Sequence, residues 1–336
     1  MTDPATTAPL WLNKNANNSA NANANNNAKS TIPKALKLAR IGISAAIAVG
    51  AMAVATQHAQ AISALDVVNT ISASGGVGVS KNILYGDQPL QDLDIYYPKP
   101  LVQAIQAQQV PKAQYPMVVF VHGGSWESGN KEDYAFVGQS FAQAGYVTAV
   151  INYRKAPKHV FPDYVEDTAR AIAWSYENAA RFYADPQRVA VVGHSAGAFN
   201  MMAALSNEDF LAPYGISPDA ISAVVGIAGP YSYDFRQYGG ATAFGGDATP
   251  DEVMPDRHIK GVQPPYLLLT AENDTVVYDT NTLKMTQALK DYGATVESAE
   301  IKGASHATSI GAMASPLRWL NDVRAQVLGY LEKQLN

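Results

Sequence analysis

Short, almost wholly apolar runs alternate with longer stretches of helical pattern along the chain from about Val77 onward. Apolar runs rich in β-branched residues are typical of strands that are buried on both faces of a parallel sheet. Strands are predicted at residues 93–97, 117–122, 146–152, 188–192, 221–228, 266–270 and 296–301. Helices are predicted at residues 134–144, 164–183, 198–205, 280–292 and 316–335. This alternation predicts an α/β fold with a mostly parallel, doubly wound sheet and helices on both faces.

The first sixty residues do not share this pattern. Residues 11–30 contain nine Asn and almost no side chain able to pack, so we expect no hydrophobic core there. A basic segment then precedes an uncharged apolar run at residues 41–55, which ends near the small residues Ala59 and Ala61. That run is shorter than the roughly 20 residues that a transmembrane helix needs.

The arrangement predicts an Asn-rich extension and an export signal within residues 1–61, cleaved after about Ala61. An uncleaved membrane anchor formed by residues 41–55 and an amphipathic tail are the alternatives. The predicted location is therefore periplasmic or secreted, with membrane contact only if the segment is retained. Residues 62–336 are predicted to form a single domain.

Composition excludes several classes of function. Lys and Arg number 24 against 29 Asp and Glu, which gives a formal net charge of −5. Because no basic stripe is available to neutralise phosphates, we expect no nucleic-acid partner. The chain contains no cysteine, which rules out disulfides, thiolate nucleophiles and cysteine-ligated zinc or iron–sulfur centres.

A candidate nucleophile follows the predicted strand at residues 188–192. The sequence there reads Gly193-His194-Ser195-Ala196-Gly197 and continues into a predicted helix. A G-x-S-x-G motif between a strand and a helix is typical of a nucleophile elbow, in which a tight turn exposes the serine hydroxyl. An ordinary glycine-rich turn is the alternative. We predict that Ser195 is the nucleophile and that the N–H of Ala196 faces a developing oxyanion.

A second glycine-rich loop follows the predicted strand at residues 117–122 and reads His122-Gly123-Gly124-Ser125-Trp126. Such a loop places backbone N–H groups against a substrate carbonyl, and each donor typically contributes about 2.7–4 kcal/mol to transition-state stabilisation. The predicted donors here are the amides of Gly124 and Ser125. We expect His122 to brace the loop rather than transfer protons. Trp126 is predicted either to bind substrate in the acyl pocket or to pack beneath the loop.

A serine nucleophile needs a base and an orienting carboxylate. The candidate histidines within residues 62–336 are His122, His159, His194, His258 and His306. Only His306 follows the last predicted strand, where the base belongs in the chain order Ser…Asp/Glu…His. Asp274, in the loop after the strand at residues 266–270, is the predicted acid, with Glu272 as the alternative.

Together these segments resemble the α/β-hydrolase superfamily, in its HGG-motif esterase and lipase branch, which includes carboxylesterases and kynurenine formamidase-like enzymes. The resemblance extends from about Asp92 to the C-terminus and is carried by HGGSW (122–126), GHSAG (193–197), AENDTVV (271–277) and GASHA (303–307). It implies an α/β-hydrolase fold and a serine carboxylesterase that cleaves short acyl or aryl esters of small molecules. The implied triad is Ser195, His306 and Asp274, working through an acyl-enzyme intermediate without metal or organic cofactor.

Two departures from the branch bear on the substrate. Ser125 stands where many relatives have Gly, and residues 229–263 contain no long amphipathic helix, which predicts a short or minimal lid. Two alternative functions remain at this point: an amidase of the arylformamidase type, which uses the same triad, and a non-catalytic binding protein on a hydrolase fold. The sequence makes no prediction of oligomeric state.

Overall fold

The computed structural model describes residues 68–336, except 71, 73, 74, 110, 112, 113 and 239. The Asn-rich extension, the apolar run at residues 41–55 and the cleavage site near Ala61 lie outside the described residues. The export signal and the membrane anchor therefore stay predictions. In the described part of the chain, none of the helices combines the length and the apolar character required to cross a membrane.

One eight-stranded sheet runs through the described residues. In chain order its strands are β1 (Gly78–Leu84), β2 (Asp92–Tyr97), β3 (Tyr115–Val121), β4 (Val147–Ile151), β5 (Ala184–His194), β6 (Ala223–Ile227), β7 (Tyr266–Ala271) and β8 (Val296–Ile301). The spatial order is β1-β2-β4-β3-β5-β6-β7-β8. Strand β2 is antiparallel to both of its neighbours, and all other pairs are parallel. The predicted mostly parallel sheet is confirmed.

Helices cover both faces of this sheet. They are α1 (Lys99–Gln106), α2 (Ala135–Gln143), α3 (Asp163–Asn178), α4 (Ala196–Ser206), α5 (Phe235–Tyr238), α6 (Pro250–Val253), α7 (Thr280–Tyr292), α8 (Thr308–Gly311) and α9 (Val323–Leu335). Neighbouring residues of β3 belong to different hydrophobic clusters: Val119 to the one that includes residues of α1, α3, α4 and α7, and Phe120 to the one that includes residues of α2 and α9. Because β3 is buried on both faces, its sequence is apolar throughout.

Three of the longer elements differ from the prediction, and the four-residue helices α5, α6 and α8 were not predicted. Strand β1 and helix α1 were not predicted, because β1 is a half-exposed edge strand with polar residues and α1 has only two buried side chains. The helix predicted at residues 316–335 is wrong over its first part and begins only at Val323. A short 3₁₀ turn precedes it, and the Asn321 side chain accepts the N–H of Val323 and donates to the carbonyl of Thr308.

A buried lysine ties the edge of the sheet to the loop that follows β3. The side chain of Lys131 is 1 % exposed, and its Nζ lies 2.9 Å from Asp94 Oδ1 and 3.3 Å from Asp92 Oδ2. It also contacts Glu132 and donates to Asn82 Oδ1 at 2.7 Å. Burial opposes the charge, but the hydrogen bonds to Glu132 and Asp94 outweigh it and raise the pKa of Lys131. The lysine is therefore charged and neutralises the carboxylates of Asp92 and Asp94 beside it.

We predict that Lys131→Met lowers the free energy of unfolding by about 3–5 kcal/mol, because it leaves buried carboxylates without a counter-charge. Urea unfolding near neutral pH measures the loss. Lys333→Met is the matched control: its ion pair with Glu297 is exposed, so the change should be no more than about 1 kcal/mol. Equal stability of the two variants would contradict the role given to Lys131.

Candidate active site

Ser195 occupies the turn between β5 and α4 in a strained backbone conformation, with φ 55° and ψ −126°. Its N–H donates to the carbonyl of Ile227 at 2.9 Å, which ties the turn to β6. Gly197 lies against the end of β3: a Cβ there would stand 2.2 Å from the carbonyl oxygen of Val121. The close approach therefore requires glycine at position 197, as the G-x-S-x-G pattern predicts. It holds Ser195 at a positive φ, which serine rarely adopts.

His306 joins Ser195 to Asp274. Its Nε2 lies 2.9 Å from Ser195 Oγ, and its Nδ1 lies 2.8 Å from Asp274 Oδ2. The three residues follow β5, β7 and β8, so the carboxyl ends of parallel strands bring them to one edge of the sheet. The side chain of Asp274 is 2 % exposed and that of His306 is 17 % exposed. A base within reach of the hydroxyl and a carboxylate behind it form an arrangement that can activate a serine.

Asp274 has both carboxylate oxygens occupied. Oδ2 accepts from His306, and Oδ1 accepts the N–H groups of Val276 at 2.8 Å and Val277 at 2.9 Å. Burial works against ionisation, but the hydrogen bond and charge of His306 and the two amides outweigh it and lower the pKa of Asp274. The ionised carboxylate holds the proton of His306 on Nδ1, so Nε2 is left to accept from Ser195.

Glu272, the alternative acid, does not reach His306. Its exposed carboxylate accepts the N–H of Gly303 at 2.6 Å and lies 3.5 Å from Lys302 Nζ. The N–H of Asn273 donates to the carbonyl of Ala304 at 2.8 Å. Glu272 and Asn273 thus tie the loop after β7 to the loop that carries His306, while Asp274 alone of the two acids contacts the histidine.

The glycine-rich loop after β3 lies beside Ser195, and its residues Ser125 and Trp126 line the same cavity. Gly124, Ser125 and Trp126 all have positive φ, of 129°, 54° and 63°. The carbonyl of Gly124 accepts the N–H groups of Glu127 and Ser128, which turns it into the loop. Among the residues that the structure describes, no protein acceptor takes the N–H groups of Gly124, Ser125 and Ala196. These N–H groups are therefore available to an anion, and that of Ala196 begins a helix.

His122 lies beneath this loop as a neutral brace. Its ring is buried and stacks on Tyr134 and Tyr153, with ring centroids 5.5 and 4.5 Å away. Burial lowers the pKa of His122 to about 3, and Nδ1 donates to the carbonyl of Gly123 at 2.7 Å. The structure thus places His122 as the expected brace, away from the line that joins Ser195 to Asp274.

Trp126 was predicted either to line the acyl pocket or to pack beneath the loop, and its contacts combine features of both. Its side chain is 3 % exposed, and Nε1 donates to Asn200 Oδ1 at 2.8 Å. Phe199 and Phe244 meet the indole edge to face, with ring centroids 5.3 and 5.0 Å away. The indole packs beneath the loop and still forms part of the wall of the cavity next to Ser195.

A cavity of about 860 Å³ opens at Ser195. Its inner wall consists of the serine, Ser125, Trp126 and Ala196. Its outer wall comes mostly from residues 229–263, which fold into short helices and form the predicted short lid. No motif marks this stretch, so its charged lining residues were not predictable from the sequence. The charged residues of this stretch that line the cavity are Asp234, Arg236, Asp251 and Arg257, and α7 adds Lys284.

The charges of the outer wall are largely paired. Arg236 binds Asp234 at 2.8 Å, and Arg257 contacts Asp251. Within the described ranges no three His, Asp or Glu side chains are grouped so as to hold a metal ion.

Comparison with known proteins finds esterases among those to which the chain is similar. The family model BD-FAE matches residues 93–289. Esterase LipC of Mycobacterium tuberculosis is 31 % identical over 59 % of this chain and 51 % of its own length. A probable isoprenylcysteine alpha-carbonyl methylesterase of rice, Oryza sativa, is 32 % identical over 46 % of this chain and 36 % of its own. The chain thus spans about half or less of the length of these curated relatives.

Solved structures establish the fold. Esterase B of Lactobacillus rhamnosis superposes with a TM-score of 0.65 at 16 % identity, over 89 % of this chain and 96 % of the other. A thermophilic esterase of Thermogutta terrifontis gives a TM-score of 0.57 at 22 % identity, over 77 % and 91 %. The predicted α/β-hydrolase fold is confirmed.

We predict that Gly197→Ala destabilises the protein by at least about 1–3 kcal/mol, because its Cβ has no space between the carbonyls of Val121 and His122. Gly329→Ala is the matched control, since the structure leaves open space around this exposed residue of α9. There the substitution should stabilise by up to about 1 kcal/mol, as expected for an exposed helix. Thermal or urea unfolding compares the two, and equal effects would contradict the close approach.

Proposed function

Because the chain belongs to the BD-FAE family, an α/β-hydrolase esterase family, we propose that it is a serine carboxylesterase. The observation that carries the proposal is the chain of contacts from Ser195 Oγ through His306 to Asp274, at 2.9 and 2.8 Å. The names of the relatives, Esterase LipC and Esterase LipQ of Mycobacterium tuberculosis among them, support an ester as the substrate. They lend no support to an amidase or a non-catalytic protein.

The mechanism proceeds by acyl transfer in two halves. Ser195 Oγ attacks the ester carbonyl while His306 Nε2 accepts its proton, and Asp274 stabilises the imidazolium that forms. The amides of Gly124, Ser125 and Ala196 bind the oxyanion of the tetrahedral intermediate. His306 then protonates the departing alcohol, and an acyl-enzyme remains on Ser195. Water repeats the sequence, which releases the acid and restores the serine.

The inner wall of the cavity favours a short acyl or an aryl group on the substrate. Trp126 is fixed by Asn200 and backed by Phe199 and Phe244, so this part of the wall is closely packed. Buried aromatic side chains are closely packed and yield little to a larger ligand. We therefore propose small-molecule esters with short acyl or aryl groups as the substrate class.

We predict that Ser195→Ala abolishes hydrolysis of p-nitrophenyl acetate and butyrate. Asp274→Asn should lower kcat by about 10³–10⁴-fold, because the amide no longer holds the productive tautomer of His306. Asp291→Asn, an exposed change on α7, is the control and should leave kcat unaltered. Turnover that survives in Ser195→Ala would overturn the proposed mechanism. If the folded wild-type protein hydrolyses neither ester, N-formylkynurenine is the substrate to assay next.

A further prediction concerns acyl length. Trp126→Ala should raise kcat/KM for p-nitrophenyl octanoate relative to acetate by about tenfold, because it removes the indole that closes the cavity wall. The ratio is independent of the fraction of active enzyme, so a partly unfolded variant does not distort it. Trp319→Ala is the control, since that indole is 73 % exposed and does not line the cavity. An unchanged ratio in Trp126→Ala would contradict the proposal that Trp126 limits the length of the acyl group.

A further inference from the structure

His194 is a buried histidine beside the base that the proposed mechanism does not use. It is the last residue of β5, directly before Ser195, and its side chain is nearly inaccessible to solvent. Its ring centroid lies 5.0 Å from that of His306. Its Nε2 lies 3.3 Å from the backbone carbonyl oxygen of His306 and 3.4 Å from Ser309 Oγ.

The carbonyl of His306 is held by side chains from two directions. Ser309, on α8, donates its hydroxyl to this oxygen at 2.7 Å, while His194 approaches from the end of β5. Asp274 and Ser195 contact only the imidazole ring of His306. The two contacts to the carbonyl therefore fix the backbone from which the ring extends, and that of His194 joins it directly to the strand that carries Ser195.

The surroundings of His194 select one tautomer. Only an N–H at Nε2 satisfies the carbonyl of His306, since a lone pair there would face the oxygen. In the described part of the chain, Nδ1 is buried and has no hydrogen-bond partner. Burial lowers the pKa of His194 to about 3, and the charge of His306 adds to this effect. The hydrogen bond to the His306 carbonyl and the charge of Asp274 raise the pKa by less. The ring thus stays neutral and adds no second positive charge beside the imidazolium of His306.

We propose that His194 is a positioning residue: its Nε2–H holds the backbone carbonyl of His306 and keeps the imidazole within hydrogen-bond reach of Ser195. The inference rests on the proposed function of these two residues. Misplacement of a reacting group by ~1 Å costs about 10²-fold in rate, so a contact of this kind affects the chemical step rather than substrate binding.

The first test compares three replacements of His194 on p-nitrophenyl acetate. Gln places an amide N–H near the position of Nε2, Asn is too short to reach the carbonyl, and Phe keeps the ring without the donor. We expect His194→Phe and His194→Asn to lower kcat by about tenfold, with KM within about twofold of wild type. His194→Gln should recover most of that loss.

Ser309→Ala should lower kcat in the same direction, because it removes the shorter bond to the same carbonyl. Ser175→Ala is the matched control, a buried serine on α3 whose hydroxyl has no partner among the described residues. The proposal is overturned if His194→Phe and His194→Asn turn over like wild type. It is overturned as well if His194→Gln is as slow as His194→Phe, or if the loss appears in KM.

The second test does not depend on turnover. In protein with ¹⁵N-labelled histidines, the ring signals of His194 are assigned by their loss in His194→Gln. We expect the neutral Nε2–H tautomer between about pH 5 and pH 9. An Nδ1–H tautomer overturns the proposal. Failure of the proposed function is distinguishable, because it appears as turnover that survives in Ser195→Ala while these signals still report the contact.

Discussion

The contact on which the rest of the site depends is the one between the turn at Ser195 and the end of β3. Gly197 packs against the carbonyls of Val121 and His122, at a distance that leaves no space for a Cβ. This contact holds Ser195 at positive φ and sets the serine beside the glycine-rich loop that follows β3. A strained conformation persists only where the surrounding structure enforces it, and here the sheet does so.

The remaining members of the site are positioned by ties between loops rather than by the strands alone. The loop after β7 carries Asp274 and is bound to the loop after β8 through Asn273 and Glu272. The backbone of His306 is in turn held by Ser309 and His194. Asp274, His306 and Ser195 thus stand at the ends of three strands and are connected through main-chain groups, so that a shift of one loop is resisted by its neighbours.

Much of this was predictable because buried parallel strands and glycine turns leave strong local signals. The apolar run within β5 and the G-x-S-x-G motif located Ser195, and chain order then led to His306. Strand β1 and the break before Val323 had no such signal, since one is half exposed and the other depends on a capping contact with Asn321. The sequence favoured Asp274 over Glu272, but their different contacts became visible only in three dimensions. Contacts between distant loops leave no local periodicity from which they can be derived.

The outer wall of the cavity is attached to the protein in a different way from Ser195, Asp274 and His306. Residues 229–263 leave the sheet after β6 and return before β7, and they are fastened to the body of the protein by contacts such as Phe161 to Ala243 and Ser232 to Asn281. None of Ser195, Asp274 and His306 lies within this stretch. Most residues of the outer wall and the three residues of the proposed mechanism therefore lie in separate parts of the chain. This segment can therefore vary in sequence and in length without moving the strand ends that hold the other three residues.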